Sequence, residues 1–163
     1  MAGTGQVPWR DLEASAPQLA AMGLARLIPL AMLGTVRLDG SPRISPIEPH
    51  LHAGDLLIAA ITWSQKAADL RRDPRYVLHS PVTGPDTGEA EFKLYGSAVQ
   101  SDDASHRSLG GAWWSEYPAD AALVFKLRLA AAVYVTWDMS ERLMWVDRWS
   151  IQRGYAQYQR RYP

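Results

Sequence analysis

Between residues 29 and 62 the chain reads as three extended runs whose connections allow only antiparallel pairing. "PLAMLGTVRL" (29–38) and "PRISPIEPHL" (42–51) meet at Asp39-Gly40, a dipeptide suited to the positive φ values of a tight hairpin turn. "GDLLIAAIT" (54–62) follows through a turn at His52 to Asp55. A parallel pair needs a crossover of about a dozen residues or more, so a Rossmann-type sheet is not expected. No glycine-rich phosphate loop is present either, since "GTG" at residues 3–5 precedes no strand. The third run is apolar on both faces, which predicts that both faces are covered.

The rest of the chain extends this pattern. Residues 9–28 read as helix in two pieces, with Leu12, Leu19, Met22 and Leu27 forming an apolar stripe. Pro17 would open the second piece behind a Ser15 cap. A short helix follows the third strand. After it come "RYVLHS", a Gly/Pro/Thr loop at 81–90, and the alternating strand "EFKLYGSAVQ". A weak helix over 102–115 is interrupted at Gly110 and Gly111. "ALVFKLRL", "AAVYVTWD" and "RLMWVDRW" read as three closing strands, and the tail 150–163 has no assignable period. About eight strands with helices inserted predict a mainly β fold, a closed or split antiparallel β-barrel plugged by helices. The expected organisation is a single domain over 1–163: a helical segment at about 9–28, a barrel at about 29–149, and the tail.

Charge and composition narrow the function classes. Seventeen basic residues balance 17 acidic ones, which argues against a nucleic-acid or membrane-surface protein. There is no cysteine, so disulfides, thiolate catalysis and Cys-ligated metals are excluded. No apolar run approaches the roughly 18 residues of a membrane span, and the N-terminus lacks a signal-peptide pattern. A cytoplasmic protein is the expectation.

One short stretch carries a chemical signal. In "ITWSQKAADLRRDPR" (61–75) Ser64 reads as a helix N-cap and Pro74 as the stop. Arg71 and Arg72 sit near the C-terminal end, where the helix dipole favours cations. Lys66, however, lies in the first turn, where the dipole favours an anion. Two readings stand on these residues alone. Lys66 is a solvated lysine that tolerates the dipole, or it joins the free amides and the Ser64 hydroxyl in holding a phosphate. Arg43, on the second strand, is the candidate second cation.

The order "SPRISPIEP", "GDLLIAAI", "SQKAADLRRDPR", "FKLYGSAV" resembles the pyridoxamine 5'-phosphate oxidase-like family of flavin-binding split barrels over roughly residues 24–137. The resemblance implies an oxidoreductase that places the phosphate of FMN at the start of this helix. Ser64, Gln65 and Lys66 would hold it, with Arg43 and Ser45 from strand two. Ala60 and Ile61 would run beside the isoalloxazine ring through their backbone. It also implies a homodimer with the flavin between the chains, and Lys93 on strand five is placed to meet the partner's cofactor or to face solvent. Related barrels bind a deazaflavin coenzyme or haem instead, or have no known activity.

Four departures matter. Gln65 stands where pyridoxamine phosphate oxidases carry Arg. Glu48 stands near the place of a strand-two Lys, and Glu91 near that of a flavin-contacting Gln. The C-terminal Arg/His substrate motif is not visible, so turnover of pyridoxamine phosphate is not expected. His50 and His52 share a strand face as a metal pair would, but no third ligand is evident, which favours an exposed hairpin end. His79 and His106 read as structural before catalytic or haem-ligating. Trp113, Trp114 and Tyr117 read as a barrel cap or a subunit contact.

Overall fold

The computed structural model describes residues 5–82, 88–107 and 120–161, and all its strand pairs are antiparallel. Two helices open it, α1 (Trp9–Ser15) and α2 (Pro17–Leu27). The hairpin β1 (Ala31–Val36) and β2 (Pro42–Ile47) turns at Asp39-Gly40, where Gly40 takes φ +83°. β3 (Pro49–His52) and β4 (Asp55–Ile61) lead to helix α3 (Gln65–Arg72) and β5 (Arg75–His79). β6 (Ala90–Gln100), the short helix α4 (Ala104–Arg107), β7 (Ala122–Asp138), β8 (Leu143–Ser150) and β9 (Gly154–Arg161) complete the order.

The sheet runs β2-β1-β5-β6-β7-β4-β3, with β8 and β9 branching from β7. No ladder joins β2 to β3 or β4 among the described residues, so the barrel is split rather than closed. One side of the curl encloses the core. Leu33, Leu56, Ile58, Leu78, Phe92, Leu94, Phe125, Leu127 and Leu129 are almost wholly buried there. The helices plug it: Trp9, Leu12, Leu19 and Leu27 are each at most 1% exposed.

Several expectations are corrected by packing. The run 42–51 is two strands, because the chain breaks at Glu48 before Pro49, whose nitrogen cannot donate to a ladder. The two runs at 122–129 and 131–138 are one strand, β7, which passes Ala130 through a register shift opposite Tyr95/Gly96. The tail forms β9, whose eight residues are all exposed and therefore carry no apolar alternation. Met22 is 40% exposed, and Gly23 takes the buried position instead, against the Phe92 ring. Ser15 ends α1 by bonding back to the Asp11 carbonyl at 2.5 Å, so α2 starts at Pro17 without a side-chain cap. Leu57, on the second face of β4, is 2% exposed, so this chain itself covers part of that face. No helix among the described residues is long and apolar enough to cross a membrane.

Candidate functional site

The first turn of α3 is built by its cap. Ser64 is extended at ψ 149°, and its Oγ accepts from the Ala67 amide at 3.3 Å. Its own N–H donates to the Ile61 carbonyl at 2.8 Å, which folds the end of β4 sharply into the helix. The helix stops at Arg72, with Asp73 as C-cap just before Pro74.

Two cavities flank this turn. The first, of about 200 Å³, is lined by Leu30, Pro46, Ile47, Glu48, Ala59, Ala60, Ile61, Ser64 and Lys66. It is apolar along β4 and polar where Ser64, Lys66 and Glu48 meet it. Lys66 is half-buried, and its Nζ donates to the Pro46 carbonyl at 2.6 Å. Burial lowers its pKa from the usual lysine value, since a desolvated ammonium is the costlier form.

The second is a cleft lined by Arg37, Leu38, Asp39, Arg43, Gln65, Asp69 and Arg72. Asp69 lies at its base with a side chain 3% exposed. Its Oδ2 accepts from Thr35 Oγ1 at 2.9 Å and from Arg43 Nε at 2.7 Å. Its Oδ1 accepts from Arg72 at 3.3 Å, and Arg72 also donates to the Val36 carbonyl. Burial pushes the Asp69 carboxyl up, but the bonds from Arg43, Thr35 and Arg72 outweigh it and hold the pKa below the ordinary aspartate value. Arg43 spends one N–H on Asp69, and its two terminal amino groups have no other polar partner among the described residues.

The structure therefore gathers Ala60, Ile61, Ser64 and Lys66 in one cavity, and Arg43 with Gln65 in the cleft on the other side of the same turn. Ser45 is paired with Leu33 on the strand face that carries Arg43. Lys93 stands apart on β6. Its Nζ and His79 Nε2 both contact the Glu91 carboxylate, the histidine at 3.1 Å. Sequence reasoning missed Asp69, Thr35 and the bond from Arg72 to Asp69. The one available signal was a lone acid, Asp69, in a helix otherwise charged only by Lys66, Arg71 and Arg72, which does not reveal a buried network.

The histidines are placed as structural groups. Nδ1 of His79 bonds the Ser80 carbonyl at 2.5 Å, and buried His106 contacts Ser101 Oγ at 2.8 Å. His52 meets the His106 ring edge-on at 5.8 Å. No group of three metal-ligating side chains exists among the described residues. Trp113, Trp114 and Tyr117 lie outside the described residues.

No family model matches this chain, and no curated protein matches it in sequence. Solved structures do. PhzG from Burkholderia lata 383, in complex with tetrahydrophenazine-1-carboxylic acid, superposes with a TM-score of 0.68 at 14% identity, over 95% of this chain and 94% of that one. A heme binding protein from Mycobacterium smegmatis gives 0.60 at 15% identity, over 87% and 86%. A Clostridium acetobutylicum protein related to general stress protein 26, of the pyridoxinephosphate oxidase family, gives 0.55 at 15% identity, over 80% and 96%. At these identities the likeness establishes the fold, a pyridoxine phosphate oxidase-like split barrel.

Proposed function

We propose that this split barrel is an FMN-binding oxidoreductase that transfers hydride to or from a small molecule. What supports the reading is the pair of cavities that flank the first turn of α3. The first cavity is apolar along β4, which suits a flat ring system, and Ser64 and Lys66 at its polar end suit the phosphate of the same cofactor, which Arg43 would meet from the neighbouring cleft. Ser64, Lys66 and Arg43 would hold the phosphate, with Gln65 beside it. Ala60 and Ile61 would wall the ring. The flavin supplies the redox chemistry, which is why no triad or carboxylate pair is required. These residues bind, orient and exclude water.

The alternative within the same fold is a deazaflavin coenzyme, which also carries a ring and an anionic tail. A haem reading finds less support, because His79 and His106 are already engaged by Glu91, Ser80 and Ser101. The test is titration of FMN, riboflavin and the deazaflavin coenzyme into wild type and Lys66→Ala at fixed salt. Wild type is expected to prefer FMN to riboflavin. Loss of one charge-assisted contact, roughly 1.5–3 kcal/mol, should weaken FMN about tenfold to a hundredfold. Equal affinities of mutant and wild type for both cofactors would make Lys66 a bystander and end this reading.

The reading includes a homodimer, with each cofactor near the second chain. Ile44 (70% exposed), Tyr95 (40%) and the half-buried Val77 and Met32 share the outer face of β2, β1, β5 and β6. An apolar strip of this kind is suited to isologous pairing. Sedimentation at micromolar concentration should give a dimer mass, and a monomer would contradict it.

A further inference from the structure

Asp69 is the only acidic residue of α3, and it faces the barrel instead of solvent. A buried carboxylate is costly unless fully hydrogen-bonded, and here three elements contribute donors: Thr35 from β1, Arg43 from β2 and Arg72 from α3 itself. The arrangement is asymmetric in a useful way. Asp69 takes Arg43 by its Nε, the N–H nearest the side-chain stem, which leaves the two terminal amino groups of the guanidinium for another ligand. A long arginine at a cleft mouth is otherwise free to rotate, and fixing it before binding lowers the entropy lost when an anion arrives.

We propose that Asp69, braced by Thr35, is a positioning residue that aims Arg43 into the cleft and so sets the preference for a phosphorylated over an unphosphorylated cofactor. The inference rests on the flavin reading above. Neither Asp69 nor Thr35 touches the anion. Asp69 would repel it at close range, and its value lies in the orientation it imposes on Arg43. Thr35, 3% exposed, fixes Asp69 in turn.

The experiment is the ratio of FMN to riboflavin affinity, followed by flavin fluorescence, in wild type, Asp69→Asn, Thr35→Val and Thr35→Ser. Asp69→Asn should cut the ratio about tenfold, the loss of roughly one charge-assisted bond, while riboflavin affinity stays within about twofold. Thr35→Val should cut it less, and Thr35→Ser, which restores the hydroxyl, should return it to the wild-type value. If Asp69→Asn does not fold, the two Thr35 variants decide the question. A general packing defect would lower both affinities together and leave the ratio intact, and that result overturns the proposal. Wild type binding FMN no better than riboflavin would instead overturn the flavin-phosphate reading, and this inference with it.

Discussion

Gly96→Ala is expected to abolish the fold. A Cβ added there would stand 1.8 Å from the Arg128 carbonyl oxygen and 2.9 Å from its carbon. Both atoms are backbone, so no side chain can swing away. Relief requires prising β6 from β7 at the register shift between Tyr95 and Gly96, where the longest ladder of the sheet changes phase. Losing that pairing places the variant in the exceptional class, at more than about 4 kcal/mol, which is most of the stability of many domains. The check is soluble yield and the denaturant midpoint. Gly40→Ala is the control, because its φ of +83° makes alanine strained while nothing lies within 4 Å. That change should cost only about 1 kcal/mol. A Gly96→Ala protein with a midpoint near wild type would show that the strands are not apposed so closely.

The second large effect belongs to binding. Arg43→Gln combined with Lys66→Met removes one cation from each side of the α3 turn while keeping most of both side-chain stems. Glutamine can still donate to Asp69, so the buried carboxylate is not left bare. Two charge-assisted contacts at roughly 1.5–3 kcal/mol each predict a loss of about two to four orders of magnitude in FMN affinity. Riboflavin affinity should scarcely move. Lys66 also ties α3 to the Pro46 carbonyl at 2.6 Å, so Lys66→Met alone should leave the apoprotein slightly less stable, not more. That reverses the expectation from the helix dipole alone, which would have the cation removed to advantage. An FMN affinity within about threefold of wild type would remove both residues from the cofactor site.

Which parts were legible in the sequence follows from the range of the forces involved. The Asp39-Gly40 hairpin, the Ser64 cap and the stop at Asp73 and Pro74 are fixed by neighbours within a few positions, and all three stand as read. β9 was illegible because none of its residues is buried, so no apolar period exists to read. The break at Glu48 was hidden inside a continuous strand-like run, and β7 was cut in two because a bulge shifts its inward face. The resemblance singles out Ala60, Ile61, Ser64 and Lys66, and the structure brings those four to one cavity. The network around Asp69 was not legible, because its partners Thr35 and Arg43 lie 34 and 26 residues away and meet only after β1 and β2 have paired.

β7 has one further consequence, and it concerns synthesis. One edge of this strand is zipped to β6, while the other is shared, first by β4 from Ala122 to Leu127 and then by β8 from Ala131 to Asp138. The barrel half and the terminal hairpin thus hang on one strand that leaves the ribosome late. Until Ala122 to Leu127 emerge, the nascent chain holds Leu56, Ile58 and Ala60 with no ladder on that side. Pairing at such sequence separation is slow, and the waiting intermediate exposes both apolar surface and an open strand edge. The species most at risk of aggregation is therefore the half-made chain, and the interval of risk closes with the first residues of β7.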